Sequence, residues 1–320
     1  MNTQLLTGVI AALGLLASLG QAGPARAQDD AGAGLGLEHH QHADFISDRL
    51  HVRIDGEPAG PGVRDIILIP GLSSSPEIWQ GTVDHLLAEP GTHWRIHRIH
   101  IQGFAGAPTQ GNGAGPVAAP VAEEIARYIS ENHIAAPAVV GHSMGGTIGL
   151  MLAARHPELL GRLMVVDMLP SLGPVFAGPT ATREQIEAAG QRTHDAIASE
   201  TGDERIASAT ETIGGMVKTE AKRAGPIQDT LKSDPDVMAR AMQELVVSDV
   251  SPEFANITAP VEVLYVTFPQ AGDAMTGAIY RGAYARLPGV TLKHVDDSAH
   301  FIMLDQPDVF NAELDAFLAK

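Results

Sequence analysis

A Gly-x-Ser-x-Gly pattern has Ser143 at its centre and Gly141 and Gly145 at its ends. The apolar run 138–140 before it predicts a buried strand, and residues 145–156 after it predict a helix. A serine on a sharp turn between a strand and a helix exposes its hydroxyl at the helix N-terminus, where the dipole favours negative charge. The glycines leave room that a Cβ would fill. We therefore predict a nucleophile at Ser143; an ordinary glycine-rich loop is the alternative.

The hexapeptide Gly-His-Ser-Met-Gly-Gly at 141–146 resembles the nucleophile turn of the α/β-hydrolase family, in its branch of small esterases and lipases. The resemblance extends over about residues 45–320. It implies an α/β fold with a mostly parallel central sheet flanked by helices. It also implies that an acid and then a histidine base follow the nucleophile along the chain.

The resemblance places the base in a loop after the last strand. His300 is the only histidine that follows the strand predicted at 290–295, and residues 299–307 resemble the family segment that begins Gly-His-Phe and ends Glu-x-Pro. We expect His300 to take the proton of Ser143. A histidine with a purely structural role is the alternative.

Two aspartates are candidates for the acid that orients the base. Asp273 follows the strand predicted at 261–266, where family members usually carry a Gly-x-x-Asp segment, and we prefer it. Asp273 could instead cap the helix that follows it. Asp167, at the end of the strand predicted at 163–166, is the alternative acid, because some family members place it there.

An acyl-transfer enzyme also needs N–H donors for the oxyanion of its tetrahedral intermediate. The resemblance assigns one donor to Met144, the residue after the nucleophile. The other comes from the loop after the strand that ends at Ile69, where Pro70 replaces the usual histidine and Gly71 keeps the backbone accessible. We expect the N–H of Leu72 there, with the N–H of the next residue, a serine, as the alternative.

Three aromatic residues lie on or next to these loops and are candidates for a substrate pocket. They are Trp79, Phe104 and Phe301. Ordinary packing is the alternative for each. A His- and Asp/Glu-rich stretch at 38–44 could bind a divalent metal, but a solvated tail is the simpler interpretation. We predict neither a metal site nor a cofactor.

The elements that must position these residues alternate between apolar runs and amphipathic helical stretches, which favours a mostly parallel sheet covered on both faces. Residues 171–250 interrupt the alternation with helical patterns only. We interpret this segment as a helical lid inserted into a hydrolase core of residues 45–170 and 251–320.

The composition restricts the partners. A formal net charge of −17 argues against nucleic acid, whose phosphates need clustered Lys and Arg, and against an anionic membrane surface. The chain has no cysteine, so disulfides, thiolate metal sites and a cysteine nucleophile are excluded. The expected partner is a small acyl substrate.

The N-terminus resembles a cleavable export signal. The uncharged apolar stretch 5–20 is followed by Ala25-Arg26-Ala27, which fits an Ala-x-Ala cleavage site before Gln28. The stretch is shorter than the roughly 20 apolar residues of a membrane span, so an anchor is the less favoured alternative. We predict a signal peptide at 1–27, a flexible leader at 28–44, a periplasmic or secreted protein, and no stable membrane partner after cleavage.

Together these features predict an exported serine hydrolase that cleaves carboxylic esters through an acyl-enzyme. The same residues would serve lactone, amide or C–C bond hydrolysis and perhydrolysis. A ligand-binding member of the fold that lacks turnover is the alternative from another functional class.

Overall fold

The computed structural model describes residues 41–42, 45–88, 91 and 93–320. The predicted signal peptide and most of the predicted leader lie outside the described residues. Within the leader, Gln41–His42 forms a short strand.

Eight strands form a single sheet in the order β1-β2-β4-β3-β5-β6-β7-β8. They are β1 (Gln41–His42), β2 (Leu50–Gly56), β3 (Arg64–Ile69), β4 (Trp94–Ile101), β5 (Ala138–His142), β6 (Arg162–Val166), β7 (Val261–Tyr265) and β8 (Thr291–His294). β1 and β2 form antiparallel pairs at one edge, and the strands from β4 to β8 are all parallel. The predicted α/β class with a mostly parallel sheet is confirmed.

Eleven α-helices are present in the described part of the chain. They are α1 (Gln80–Ala88), α2 (Ala118–Glu131), α3 (Met144–Arg155), α4 (Gly173–Ala177), α5 (Arg183–Ser199), α6 (Gly202–Met216), α7 (Ala224–Lys232), α8 (Pro235–Val247), α9 (Gly272–Ala283), α10 (Ile302–Asp305) and α11 (Pro307–Leu318). Five of them, α4 to α8, occupy residues 171–250, which we call the insertion.

The core has two apolar layers, one on each face of the sheet. Successive side chains of a strand point to opposite faces. In β3, Ile67 and Ile69 accordingly join the layer under α2 and α3, whereas Ile66 and Leu68 join the layer under α1 and α11. Because both faces are covered, the central strands are apolar throughout, which is why they were predictable as apolar runs.

The insertion is tied to the core at its two ends and along α8. Ser171 and Asp249 form an antiparallel bridge, so the segment leaves and rejoins the core at nearly the same place. Within it α5 packs closely on α8, where a Cβ on Gly190 would lie 2.8 Å from a methyl of Val247. The insertion follows β6 and precedes β7, so it lies at the carboxyl edge of the parallel strands.

Candidate active site

Ser143 occupies the turn between β5 and α3 with φ 53° and ψ −120°, a backbone conformation that is strained for a residue with a Cβ. The turn is tight enough to require its glycines. A Cβ on Gly141 would lie 2.1 Å from the carbonyl oxygen of Gly145, and one on Gly145 would lie 2.3 Å from the carbonyl oxygen of Ile69. The sequence therefore folds locally so that one serine hydroxyl is presented at the start of a helix.

His300 pairs with Asp167. The distance from His300 Nδ1 to Asp167 Oδ2 is 2.7 Å, and the two side chains are only 6% and 5% exposed. A carboxylate only accepts hydrogen bonds, so the imidazole proton lies on Nδ1 and Nε2 keeps a free lone pair. His300 and Ser143 line the same cavity. The pair therefore supplies a base in the tautomer that can take a serine proton.

The Asp167 carboxylate is fixed by two further donors. The Tyr280 hydroxyl donates to its Oδ1 at 2.9 Å, and the Val266 N–H donates to the same oxygen at 3.1 Å. Burial, with the charge of Asp167 as a smaller cause, raises the pKa of Tyr280 well above its ordinary value, so the phenol stays protonated and remains a donor. The carboxylate is thus held at the end of β6, with one oxygen left for His300.

Asp273, the preferred acid in the sequence analysis, does not contact His300, and this expectation is wrong. Asp273 is exposed in the first turn of α9, where its carboxylate accepts a hydrogen bond from the Thr267 hydroxyl. That hydroxyl also lies 2.7 Å from Nε2 of His294. A carboxylate in the first turn of a helix is favoured by the helix dipole, so Asp273 has a local structural reason for its position.

The two expected oxyanion donors both lie next to Ser143. Met144 is the first residue of α3, so its N–H has no partner within the helix. A Cβ added to Gly71 would lie 3.1 Å from the Cβ of Ser143, and Leu72 lines the same cavity as the serine. The arrangement fits the two predicted donors, and their catalytic role stays a prediction.

His142, which precedes the serine, was not singled out from the sequence. Its Nε2–H donates to the carbonyl oxygen of His300 at 3.1 Å, and its ring packs 4.6 Å from the ring of His300 and 4.5 Å from that of Phe301. Complete burial, with the neighbouring His300 as a smaller cause, lowers the pKa of His142 well below its ordinary value. A neutral imidazole therefore supports the loop that carries His300 without adding a charge.

The cavity has a volume of about 110 Å³ and lies between the core and the insertion. Its walls from the insertion and from the segment before it are mostly apolar, and these side chains are Met168, Leu172, Ile197, Ala209, Ile213, Met216, Met238, Met242 and Leu245. A small apolar cavity of this size suits a short acyl or aryl group.

Only one of the three predicted pocket aromatics lines this cavity. Phe301 does so, next to His300. Trp79 is fully buried against Phe310 of α11, at 6.0 Å between ring centroids, and Phe104 is fully buried in the other core layer. The expectation that Trp79 and Phe104 contact substrate is therefore wrong; both are packing residues.

Among the described residues, no cluster of three or more His, Asp or Glu side chains is arranged to hold a metal ion. The side chains of the acidic and histidine-rich stretch at 38–44 lie outside this description. Within the same described ranges, no helix is both long enough and apolar enough to cross a bilayer.

The model of the alpha/beta hydrolase family matches residues 66–313. Putative carbamate hydrolase RutD from Yersinia enterocolitica is 31% identical over 123 residues, but this match spans only 38% of the chain and 42% of that relative. Putative carbamate hydrolase RutD from Caulobacter sp. is 25% identical over 85% of the chain and 96% of the relative. Pimeloyl-(acyl-carrier protein) methyl ester esterase from Aromatoleum aromaticum is 23% identical over 76% and 94%.

Solved structures show the same fold. A hydrolase from Pseudomonas aeruginosa superposes with a TM-score of 0.70 at 18% identity, over 89% of this chain and all of that one. The enol-lactonase from Burkholderia xenovorans superposes with a TM-score of 0.67 at 20% identity, over 88% and 100%. With a family match that spans most of its length and a sheet of the same architecture, the chain belongs to the alpha/beta hydrolase family.

Proposed function

We propose that this protein is a serine hydrolase of carboxylic esters in which Ser143, His300 and Asp167 are the catalytic residues. The observation that carries the proposal is the buried pair of His300 and Asp167, 2.7 Å apart, in the wall of a cavity that Ser143 also lines. A strained turn that exposes a serine hydroxyl has no evident structural purpose, and such strain is typical of functional sites.

The proposed reaction follows from these positions. The Ser143 oxygen attacks the acyl carbon while His300 Nε2 takes its proton, and Asp167 stabilises the resulting imidazolium. The N–H groups of Met144 and Leu72 donate to the oxyanion. His300 then protonates the leaving alcohol, and a water molecule activated by the same histidine releases the acid from Ser143.

The names of the relatives support acyl chemistry. Two relatives that align over most of the chain are named for a carbamate and for a methyl ester, and both groups place a carbonyl carbon beside a heteroatom leaving group. The small apolar cavity favours an ester whose acyl part is short. The insertion forms much of the cavity wall, and we assign it the role of a lid.

We further propose that the protein is exported, as the sequence of residues 1–27 predicts. An exported hydrolase of this type needs neither a disulfide nor a cofactor for the reaction above. Its substrate would be a small ester outside the cytoplasm.

Replacement of Ser143 by Ala tests the function. The variant should lose hydrolysis of short acyl esters by about 10⁴-fold or more, because the nucleophile and its acyl-enzyme are removed. A fluorophosphonate should label the wild-type protein at one residue and should not label the variant. Equal turnover by the two proteins at equal circular dichroism would contradict the proposal. Labelling without turnover of any ester, lactone or amide would favour a ligand-binding role.

A further inference from the structure

The loop that carries Leu72 is held by the insertion as well as by the core. We call residues 70–75 the oxyanion loop and residues 229–233, at the end of α7, the clamp segment. The N–H of Ser75 donates to the carboxylate of Asp229 at 2.9 Å. The hydroxyl oxygens of Ser73 and Thr230 are 3.0 Å apart. The Ser233 hydroxyl lies 3.2 Å from the carbonyl oxygen of Ser73 and 2.8 Å from that of Asp229, so these two carbonyls compete for its single hydrogen.

The direction of the Ser73–Thr230 hydrogen bond follows from the other bonds of the threonine. The Thr230 hydroxyl donates to the carbonyl oxygen of Pro226 at 3.0 Å, and it has only one hydrogen. It therefore accepts from Ser73. The Ser73 side chain therefore donates to the clamp segment, and its carbonyl oxygen lies within hydrogen-bond distance of the Ser233 hydroxyl.

Ser73 is the residue of the loop that most needs such support. Its φ of 58° lies in the left-handed region, which a serine rarely adopts. A residue in that region keeps its conformation only where its surroundings enforce it. Ser73 and Ser233 are 7% and 3% exposed, so water competes little for the hydrogen bonds between them. The conformation of Ser73 in turn sets the orientation of the Leu72–Ser73 peptide group, which carries the Ser73 N–H and adjoins the peptide group that carries the Leu72 N–H.

Two further contacts hold the clamp segment in place. The backbone N–H of Ala105, in the core, donates to the Ser233 hydroxyl at 2.8 Å. The guanidinium group of Arg205, on α6, donates to the carbonyl oxygen of Thr230 at 3.1 Å and also to that of Ser233. These carbonyls end a helix, where the dipole favours a cation. Arg205 also lines the cavity, so the clamp segment is bound by groups next to the substrate space.

We propose that Thr230 and Ser233 are positioning residues for the oxyanion hole, which hold Ser73 and thereby the loop backbone that presents the Leu72 N–H to the oxyanion beside Ser143. This inference rests on the proposed hydrolytic function. The hole is complete only while the clamp segment lies against the oxyanion loop. The insertion thus does more than cover the cavity, because its placement is coupled to the stabilisation of the transition state.

The insertion provides a matched pair of threonines for the test. Thr230 and Thr193 are both half-buried, and each hydroxyl donates to the carbonyl oxygen four residues earlier at 3.0 Å. Only Thr230 also binds the oxyanion loop. Thr230→Val should lower kcat about tenfold with KM changed less than twofold, a fraction of the 10²–10³-fold loss seen when an oxyanion donor is removed outright. Thr230→Ser should restore the rate, and Thr193→Val should leave it unchanged.

A trifluoromethyl ketone gives a readout that a merely structural role would not move. Addition of Ser143 to its carbonyl carbon forms a hemiketal whose oxygen occupies the oxyanion hole. The affinity of Thr230→Val for this inhibitor should fall in proportion to kcat/KM, while inhibition by the product carboxylate should stay constant. Ser233→Ala, which removes the other contact, should behave in the same way.

The outcomes separate this inference from the proposed function. If Thr230→Val and Ser233→Ala both match Thr193→Val in kcat and in ketone affinity while Ser143→Ala is inactive, the positioning role is overturned and the function stands. The same holds if ketone and carboxylate affinities fall together. If Ser143→Ala keeps full activity, the proposed function fails first.

Discussion

Each oxygen of the Asp167 carboxylate has a separate task. One accepts from Tyr280 and from the Val266 N–H, and the other accepts from His300. The carboxylate therefore cannot rotate without losing several hydrogen bonds in a buried environment, which is costly. The orientation of the His300 imidazole therefore depends on the placement of β6, β7 and α9, because residues on or next to all three hold the carboxylate.

Asp167→Asn should lower kcat by about 10³–10⁴-fold, because an amide at this position favours the wrong histidine tautomer and does not stabilise the imidazolium. Asp273→Asn should change kcat less than twofold, because its exposed carboxylate accepts a hydrogen bond from Thr267 and does not reach His300, which pairs with Asp167. Initial rates on a short acyl ester, with circular dichroism as a check on folding, measure both. A large loss of kcat in Asp273→Asn alone would show that Asp273, and not Asp167, is the catalytic acid.

The two aspartates show where prediction from sequence reached its limit. Both follow apolar strands, and the carboxyl ends of parallel strands meet at one edge of the sheet, so chain order alone allows either acid. The distinction depends on Tyr280, whose hydroxyl reaches Asp167 from a helix more than a hundred residues later in the chain. Ser143 was easier to single out because its signal is local: a strand, two glycines and a helix within a few residues.

At the scale of elements, α8 of the insertion supplies a cap to α2 of the core. The Glu244 carboxylate accepts hydrogen bonds of 2.5–2.8 Å from three successive N–H groups at the start of α2. These groups have no partner within their own helix. A charge-assisted bond from a buried carboxylate satisfies them and also anchors the insertion beside the cavity.

Glu244→Gln should lower the free energy of unfolding by about 2 kcal/mol, because an amide has one acceptor oxygen and turns its NH₂ group toward a remaining donor. Glu253→Gln is the matched control. Its carboxylate pairs with Arg155 where both side chains are 31% exposed, and such pairs contribute less than about 1 kcal/mol. Urea unfolding followed by circular dichroism compares them. Equal losses in the two variants would show that the cap does not anchor the insertion.

Strands and helices with a clear apolar pattern could be predicted from the sequence. The buried parallel strands are continuous apolar runs, and residues 117, 121, 125 and 129 mark α2 by their helical spacing. Strand β2 was not predicted, although Leu50, Val52 and Ile54 alternate with polar residues as in a half-buried strand. Helix α7 was not predicted as a separate helix either, because Gly225 and Pro226 resemble a turn, although proline is tolerated in the first turn of a helix.

At the scale of the whole molecule, the absence of cysteine means that the protein folds without disulfides, and the absence of nucleic-acid binding expected from its acidic charge stays a prediction. The prediction that the protein is exported depends on residues 1–27 alone. Nothing in the packed domain bears on it, because a core buries the same apolar residues in any compartment.

In a bacterial host that exports the protein, mass spectrometry should find an N-terminus at Gln28, since small residues at positions 25 and 27 fit the cleavage site. The variant Ala27→Leu should keep residues 1–27, because a large side chain at the last position blocks cleavage. Recovery of the intact N-terminus in the membrane fraction of the wild type would instead support an anchor.

The insertion separates the proposed catalytic residues along the chain, so they are synthesised at different times. Ser143 and Asp167 precede it, whereas His300 follows both it and β8, more than a hundred residues after Asp167. During synthesis the chain therefore carries a nucleophile and an acid for a long interval in which no base exists to connect them. Under the proposed mechanism, hydrolysis therefore requires that β8 has joined the sheet and that His300 has reached Asp167. A partly synthesised chain would be inactive, because its base is the last of the three residues to be made.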